Sequence, residues 1–241
     1  MPLPALLVSV RNLADARAAI EGGCDRLDVK EPLRGPLGMA DARVIAEIAA
    51  FSLQAAAFLP CSVALGEIHE SQQVDAPFAL PKGVSDIKLG PARLDTPQRW
   101  ADGWRHALRR FHCETRGSVR RVAVAYADWP AAGALSPERI LATAIEVGSD
   151  AFLIDTHGKN AGNLLDALSP RELARLSDRT RRAGMTLALA GSLRLEHLAA
   201  LVDVRPDVIA VRGAACEGQC RSSGVSAACV RRLKSAISEL F

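Results

Sequence analysis

A single (β/α)8 barrel is the fold this sequence predicts, and three observations predict it. Eight short aliphatic runs recur along the 241 residues, separated by stretches whose apolar residues fall at helical spacing. Strands alternating with helices imply a parallel sheet covered by helices. No linker or shift in composition interrupts the alternation, so residues 1-241 read as one domain, and eight units of this size close a barrel. A doubly wound sheet is the structural rival. Its nucleotide-binding form expects G-x-G-x-x-G after the first strand, where this chain reads Ser9-Val10-Arg11-Asn12.

The elements follow in order. Leu6-Leu7-Val8-Ser9-Val10 is a first strand, and Asn12 caps a helix through Glu21 with Leu13, Ala16 and Ile20 on its apolar face. Gly22-Gly23 ends it. Arg26-Leu27-Asp28-Val29-Lys30-Glu31 is the second strand, and Pro32, which cannot donate to a ladder, marks its end. A loop with Gly35 and Gly38 leads to a helix from Asp41 to about Phe51, and Ser62 to Gly66 is the third strand. His69 to Pro81 carries no clear pattern beyond a short helix. Asp86-Ile87-Lys88-Leu89-Gly90 repeats the D-x-K pattern as a fourth strand. Thr96-Pro97 opens an amphipathic helix to about Cys113, with Pro97 at the first helical position. Arg121 to Asp128 is the fifth strand, and Ser136-Pro137 starts the next helix. Ala151 to Asp155 is the sixth strand, and the polar loop Thr156 to Asn160 follows it. A helix from Pro170 to Ala183 precedes the seventh strand, Met185 to Ala190, and another helix is expected from about Arg194. Asp207 to Arg212 is the eighth strand, and Val225 to Leu240 the closing helix.

Composition excludes several classes. Hydrophobic residues make up 49% of the chain but aromatics only 4%, too few rings for a nucleic-acid stacking platform. The net charge of +3 is spread along the chain, and the basic segment Arg105 to Arg121 reads as a helix surface and loop. No apolar run reaches the ~18 residues of a membrane span, and the N-terminus lacks a charged region before an apolar core. A cytoplasmic protein is expected. Cys24, Cys61, Cys113, Cys216, Cys220 and Cys229 form no C-x-x-C pair, so they read as reduced thiols with no metal site. Self-association into a homo-oligomer is left open by the sequence.

The polar residues concentrate at strand ends. Barrels place their active sites at the C-terminal ends of the strands. Those ends carry Asp28 and Lys30, Lys88, Asp128, Asp155, Gly191-Ser192 and Arg212-Gly213. Residues two apart on a strand share a face, so Asp28 and Lys30 project together. A lysine inside a sheet is costly to bury, and a buried lysine readily loses its proton and becomes a nucleophile. Lys159 lies on a loop between Gly158 and Gly162, within reach of the mouth. The turns Ala190-Gly191-Ser192 and Arg212-Gly213-Ala214 occupy the usual phosphate-binding position in barrels, where backbone amides and a following helix N-terminus favour an anion.

These residues also carry a resemblance. Leu6 to Asn12, Glu21-Gly22-Gly23, Leu27 to Lys30 and Ile87 to Gly90 resemble the (5-formylfuran-3-yl)methyl phosphate synthases, the 4-(hydroxymethyl)-2-furancarboxaldehyde-phosphate synthases of methanofuran biosynthesis. Ile154-Asp155-Thr156, Lys159, Ala190 to Leu193 and Val211 to Cys216 extend the resemblance over essentially the whole chain; His69 to Pro81 fits the pattern poorly. Membership implies a barrel that condenses two glyceraldehyde 3-phosphate molecules to a phosphorylated furan aldehyde, releasing phosphate and water. It further implies that Lys30 is the Schiff-base lysine and Lys88 the proton-abstracting one, with Asp28, Asp155 and Lys159 at the other catalytic positions. Gly191, Ser192, Arg212, Gly213 and Ala214 would then bind the substrate phosphate.

The residue types suit that chemistry. Joining two trioses needs a carbanion equivalent, which an iminium on Lys30 supplies by acting as an electron sink. The amine must first be neutral, and nearby lysines push its pKa down. Asp28 and Asp155 shuttle protons, and the scheme requires no cofactor. Two other readings stay open on the residues alone: a different Schiff-base aldolase or isomerase of triose phosphates, and a non-catalytic barrel that binds a phosphometabolite.

Overall fold

Leu6, Val8 and Val10 alternate with Leu7 and Ser9, and this period of two sorts the first strand between two environments. In the computed structural model, which describes residues 3–55, 59–73, 76–113, 119–158 and 162–241, the even positions of β1 (Ala5–Val10) face the helices. Leu7 faces the barrel interior. The same sorting runs through β2 (Arg26–Val29), β3 (Cys61–Glu67), β4 (Val84–Gly90), β5 (Arg120–Tyr126), β6 (Ala151–Asp155), β7 (Thr186–Leu189) and β8 (Val208–Val211). All eight pair in parallel in sequence order, and β8 closes on β1 through Ala5↔Val208 to Val8↔Val211. The expected fold is therefore the observed one.

Two apolar layers hold it. The outer one lies between the barrel and α1 (Leu13–Glu21), α2 (Ala42–Gln54), α3 (Pro97–Arg110), α4 (Pro137–Glu146), α5 (Pro170–Arg182) and α6 (Ala227–Leu240). Caps follow the sequence: Asn12 Oδ1 accepts from the Asp15 amide (2.9 Å), and Ser169 with Glu172 forms a capping box on α5. The inner layer is aliphatic and small: Ala64, Val122, Val124, Ala151, Leu153, Val208 and Ala210. Beneath it, at the N-terminal end, buried Asp86 is paired with Arg26 and Arg120, and Arg120 donates to the Thr186 hydroxyl (2.6 Å). A polar plug thus closes the bottom and leaves the top for chemistry.

Three expectations are corrected. The helix from Thr96 stops at Arg110, and Phe111–Cys113 leaves as a strand pairing with Phe78–Leu80 outside the barrel. Edge-to-face contact of Phe78 and Phe111, 5.9 Å between centroids, outweighs helix continuation there. Between β7 and β8 the described residues hold no α-helix; Leu195–Leu201 is 3-10. After β8 come the three-residue 3-10 turns Gly213–Ala215 and Glu217–Gln219, and α6 begins at Ala227 rather than Val225. The short helix expected between His69 and Pro81 is Ile68–Ser71. Among the described residues, no helix is long and apolar enough to cross a membrane.

Candidate active site

The last inward position of a barrel strand is where a side chain meets both the core and the mouth. Asp28 on β2 and Asp155 on β6 hold such positions, Lys88 lies on the inward face of β4 one step before Gly90, and Lys30 follows β2 on the face of Asp28. All four line one cavity of about 200 Å³, together with Gly191, Ser192, Arg212, Gly213 and Ala214. The expectation placed on Lys159 falls outside the described residues.

Pairing inside the cavity differs from what strand spacing suggests. Asp28 Oδ1 lies 2.7 Å from Lys88 Nζ, and the two side chains are 1% and 6% exposed. The same carboxylate accepts from Ser9 Oγ (2.9 Å) and Ser62 Oγ (2.7 Å). Asp28 is thereby committed to Lys88, not to its strand neighbour. Lys30 instead has Asp155 as its nearest carboxylate, with Nζ 3.9 Å from Oδ2. The Thr156 amide fixes the other oxygen of Asp155 (2.7 Å). Period two aligns Asp28 and Lys30, but the stagger of the barrel brings Lys88 across from β4 to reach Asp28 first.

The electrostatics separate the two lysines. Burial is the largest influence on Lys30 and holds it below the ordinary lysine value; Asp155 and Asp28 work against that shift, while Lys88 and Arg221 add to it. For Asp28, burial opposes ionisation, but Lys88 and Lys30 overcome it and the pKa is lowered. The site thus combines a tight ammonium–carboxylate pair with a second, loosely held amine whose charged form is disfavoured. In its neutral form an amine of this kind attacks carbonyls.

The turns after β7 and β8 contribute backbone to the mouth. Gly191 (φ 96°) and Ser192 (φ 52°) both occupy the left-handed region, and a Cβ on Gly191 would come 2.9 Å from Thr156 Cγ2. The short 3-10 segments that follow carry little aligned dipole, so amide geometry and side-chain cations remain as the anion-attracting features. Arg212 is placed at the site but directed inward. Its guanidinium donates to Asp15 (2.8 Å) and to the carbonyls of Ser9 (2.9 Å), Arg221 (3.2 Å) and Ser223 (3.0 Å). It ties the segment after β8 to α1, and Asp15 also receives the Val225 amide (3.0 Å). Besides Arg212 and the two lysines, Arg194 and Arg221 are the cationic residues that line the cavity.

Sequence reasoning missed several of these groups. Ser9 and Ser62 are polar residues at inward positions of aliphatic strands, a signal visible in Leu7-Val8-Ser9-Val10 and Cys61-Ser62-Val63. Arg221 sits on a loop without periodicity, and nothing local marks it. Asp128, expected at a strand end, lies two residues past β5 and accepts the amides of His157 and Gly158 (2.7 Å each), shaping the loop after β6. The cysteines at positions 24, 61, 216, 220 and 229 are free.

Comparison with known proteins supplies what geometry alone does not. The model of the 4-HFC-P synthase family matches residues 6–234. The chain is 34% identical over 241 residues to the (5-formylfuran-3-yl)methyl phosphate synthase of Methanopyrus kandleri, covering 97% of this chain and 99% of that protein. It is 33% identical over 233 residues to the enzyme of the same description from Methanothermobacter thermautotrophicus, covering 95% and 97%. Among solved structures, thiamine phosphate pyrophosphorylase from Pyrococcus furiosus superposes with a TM-score of 0.60 at 14% identity, over 99% of this chain and 97% of that one. That likeness speaks to the barrel fold.

Proposed function

The chain belongs to the 4-HFC-P synthase family, and from that premise we propose that it condenses two molecules of glyceraldehyde 3-phosphate to (5-formylfuran-3-yl)methyl phosphate through a Schiff base on Lys30. In this reading it is a lyase of methanofuran-type cofactor biosynthesis. The observation that carries the mechanism is the buried, loosely paired Lys30 amine 3.9 Å from Asp155.

Neutral Lys30 attacks the carbonyl of one triose phosphate, and loss of water gives an iminium. Asp155, the nearest carboxylate, takes the proton from the adjacent carbon in place of Lys88, which the resemblance implies for this step but which is held in its pair with Asp28. The electron pair flows into the iminium to give an enamine. The enamine attacks the aldehyde of the second triose. Eliminations and ring closure then release one phosphate and two waters in all, balancing two trioses against one furan phosphate. The Lys88–Asp28 pair, hydrogen-bonded to Ser9 and Ser62, supplies and recovers protons during these eliminations. The amides of Gly191, Ser192, Gly213 and Ala214 hold the phosphate of the bound triose, with Arg221 as the nearby cation and Arg212 holding the turn in place.

The test is direct. Incubation with glyceraldehyde 3-phosphate should give an ultraviolet-absorbing furan and free phosphate, and borohydride should add the triose mass to the Lys30 peptide. Absence of both products, or an adduct on Lys88 that persists in Lys30→Ala, overturns the assignment.

A further inference from the structure

A second cavity, of about 470 Å³, opens on the same rim. Pro36 and His157 belong to the walls of both cavities. Small-ligand sites typically run to ~300–1,000 Å³, so the first cavity, at about 200 Å³, is small for two trioses, while the second is large enough for another.

The walls of this second cavity are polar and connected to the first. Glu67, buried at the end of β3, accepts from the Tyr126 hydroxyl (2.5 Å) and the Ala92 amide (2.9 Å). The Tyr126 ring meets His157 edge to face at 5.0 Å. Arg93 stands on the wall in the left-handed region (φ 63°), which a non-glycine residue rarely adopts, and pairs with no carboxylate among the described residues. The other wall arginine, Arg34, is already held by Asp41 (2.7 Å) and the Met39 carbonyl (3.0 Å). Of the acids, Glu70 accepts the Glu67 amide (2.9 Å), and burial raises the pKa of Glu67, which reduces the negative charge facing a ligand.

We propose that this cavity receives the second phosphorylated three-carbon aldehyde, its phosphate held at Arg93 and its aldehyde carbon turned past His157 toward Lys30. The inference rests on the condensation proposed above, which needs two trioses held together. In the joining step the enamine pair forms the carbon–carbon bond and the aldehyde π pair moves to oxygen. That oxygen takes the proton that the Lys30-bound triose gave to Asp155.

The experiment separates the two sites in the full-length enzyme. Arg93→Gly removes the guanidinium and suits the left-handed backbone; Ala131→Phe fills the cavity from an exposed wall position. Losing a charged hydrogen bond to phosphate should lower kcat/KM for furan formation about 10- to 100-fold. Borohydride trapping of glyceraldehyde 3-phosphate on Lys30 should keep its wild-type rate in both variants, and Arg93→Lys should recover part of the furan rate. Wild-type furan formation in both variants overturns the proposal. So does an equal loss of trapping and furan formation, which would assign Arg93 to the first cavity. A wild type that traps no triose and makes no furan would instead overturn the condensation itself, and this proposal with it.

Discussion

Replacing Asp28 by asparagine should expose how much the structure depends on the pair it makes with Lys88. The charges are 2.7 Å apart, and at an effective dielectric of ~20 their attraction is ~6 kcal/mol before desolvation is set against it. Removing one member of a buried pair strands the other, at a cost of about 3–5 kcal/mol. For a chain of this size that lowers Tm by about 6–20 °C. Lys88→Met should cost a similar amount by stranding Asp28. The double variant removes both charges, and the asparagine oxygen still accepts from one of the two serines while its NH2 can donate to the other hydroxyl, so it should be more stable than either single variant. Urea unfolding of all four proteins gives the coupling, expected at about 3 kcal/mol or more. The Asp28 pKa is lowered in the fold, so its contribution is complete above 3.8 and declines as pH falls through the lower folded value. Singles that add to within ~0.5 kcal/mol would refute the pairing. Trapping of triose on Lys30 should survive in Asp28→Asn, because Asp155 is the carboxylate nearest that amine.

Other consequences follow from the same electrostatics. Asp155 raises the Lys30 pKa against the stronger effect of burial, so in Asp155→Asn the acid limb of borohydride-trappable adduct formation should move to lower pH; an unmoved or raised limb contradicts this. Burial holds Glu67 above 4.5, so the folded state binds its proton more tightly and wild-type stability falls as pH rises from 4.5 through the folded value. Unfolding of Glu67→Gln measured at several pH values should lack that decline, and parallel curves for the two proteins would remove Glu67 as its source. Hydrogen bonding from Ser222 and Ser223 lowers the exposed Cys220 thiol to about 7, whereas burial lifts Cys24 and Cys61 to about 12. Iodoacetamide should therefore label Cys220 well before those two, and peptide mapping with the reverse order would show the loop differently arranged.

Alternating aliphatic residues were enough to read the barrel, because a strand's two faces must separate core from interior wherever it lies in the chain. Asp28, Lys30, Lys88 and Asp155 were legible for the same reason: charged groups at the ends of apolar strands are costly unless a site uses them. Which lysine meets which carboxylate was not legible. Period two places Asp28 beside Lys30, yet barrel stagger delivers Lys88 to Asp28 and leaves Lys30 near Asp155. Arg212 shows the limit from the other side. Its place after β8 suggested a phosphate ligand, while its donors are spent on the nearby carbonyls of Arg221 and Ser223 and on Asp15 and the Ser9 carbonyl, which only the closed fold brings within reach. Local sequence determined the strands and the chemical types at their ends; charge pairing, helix loss after β7 and the second cavity were decided by contacts between segments far apart in the chain.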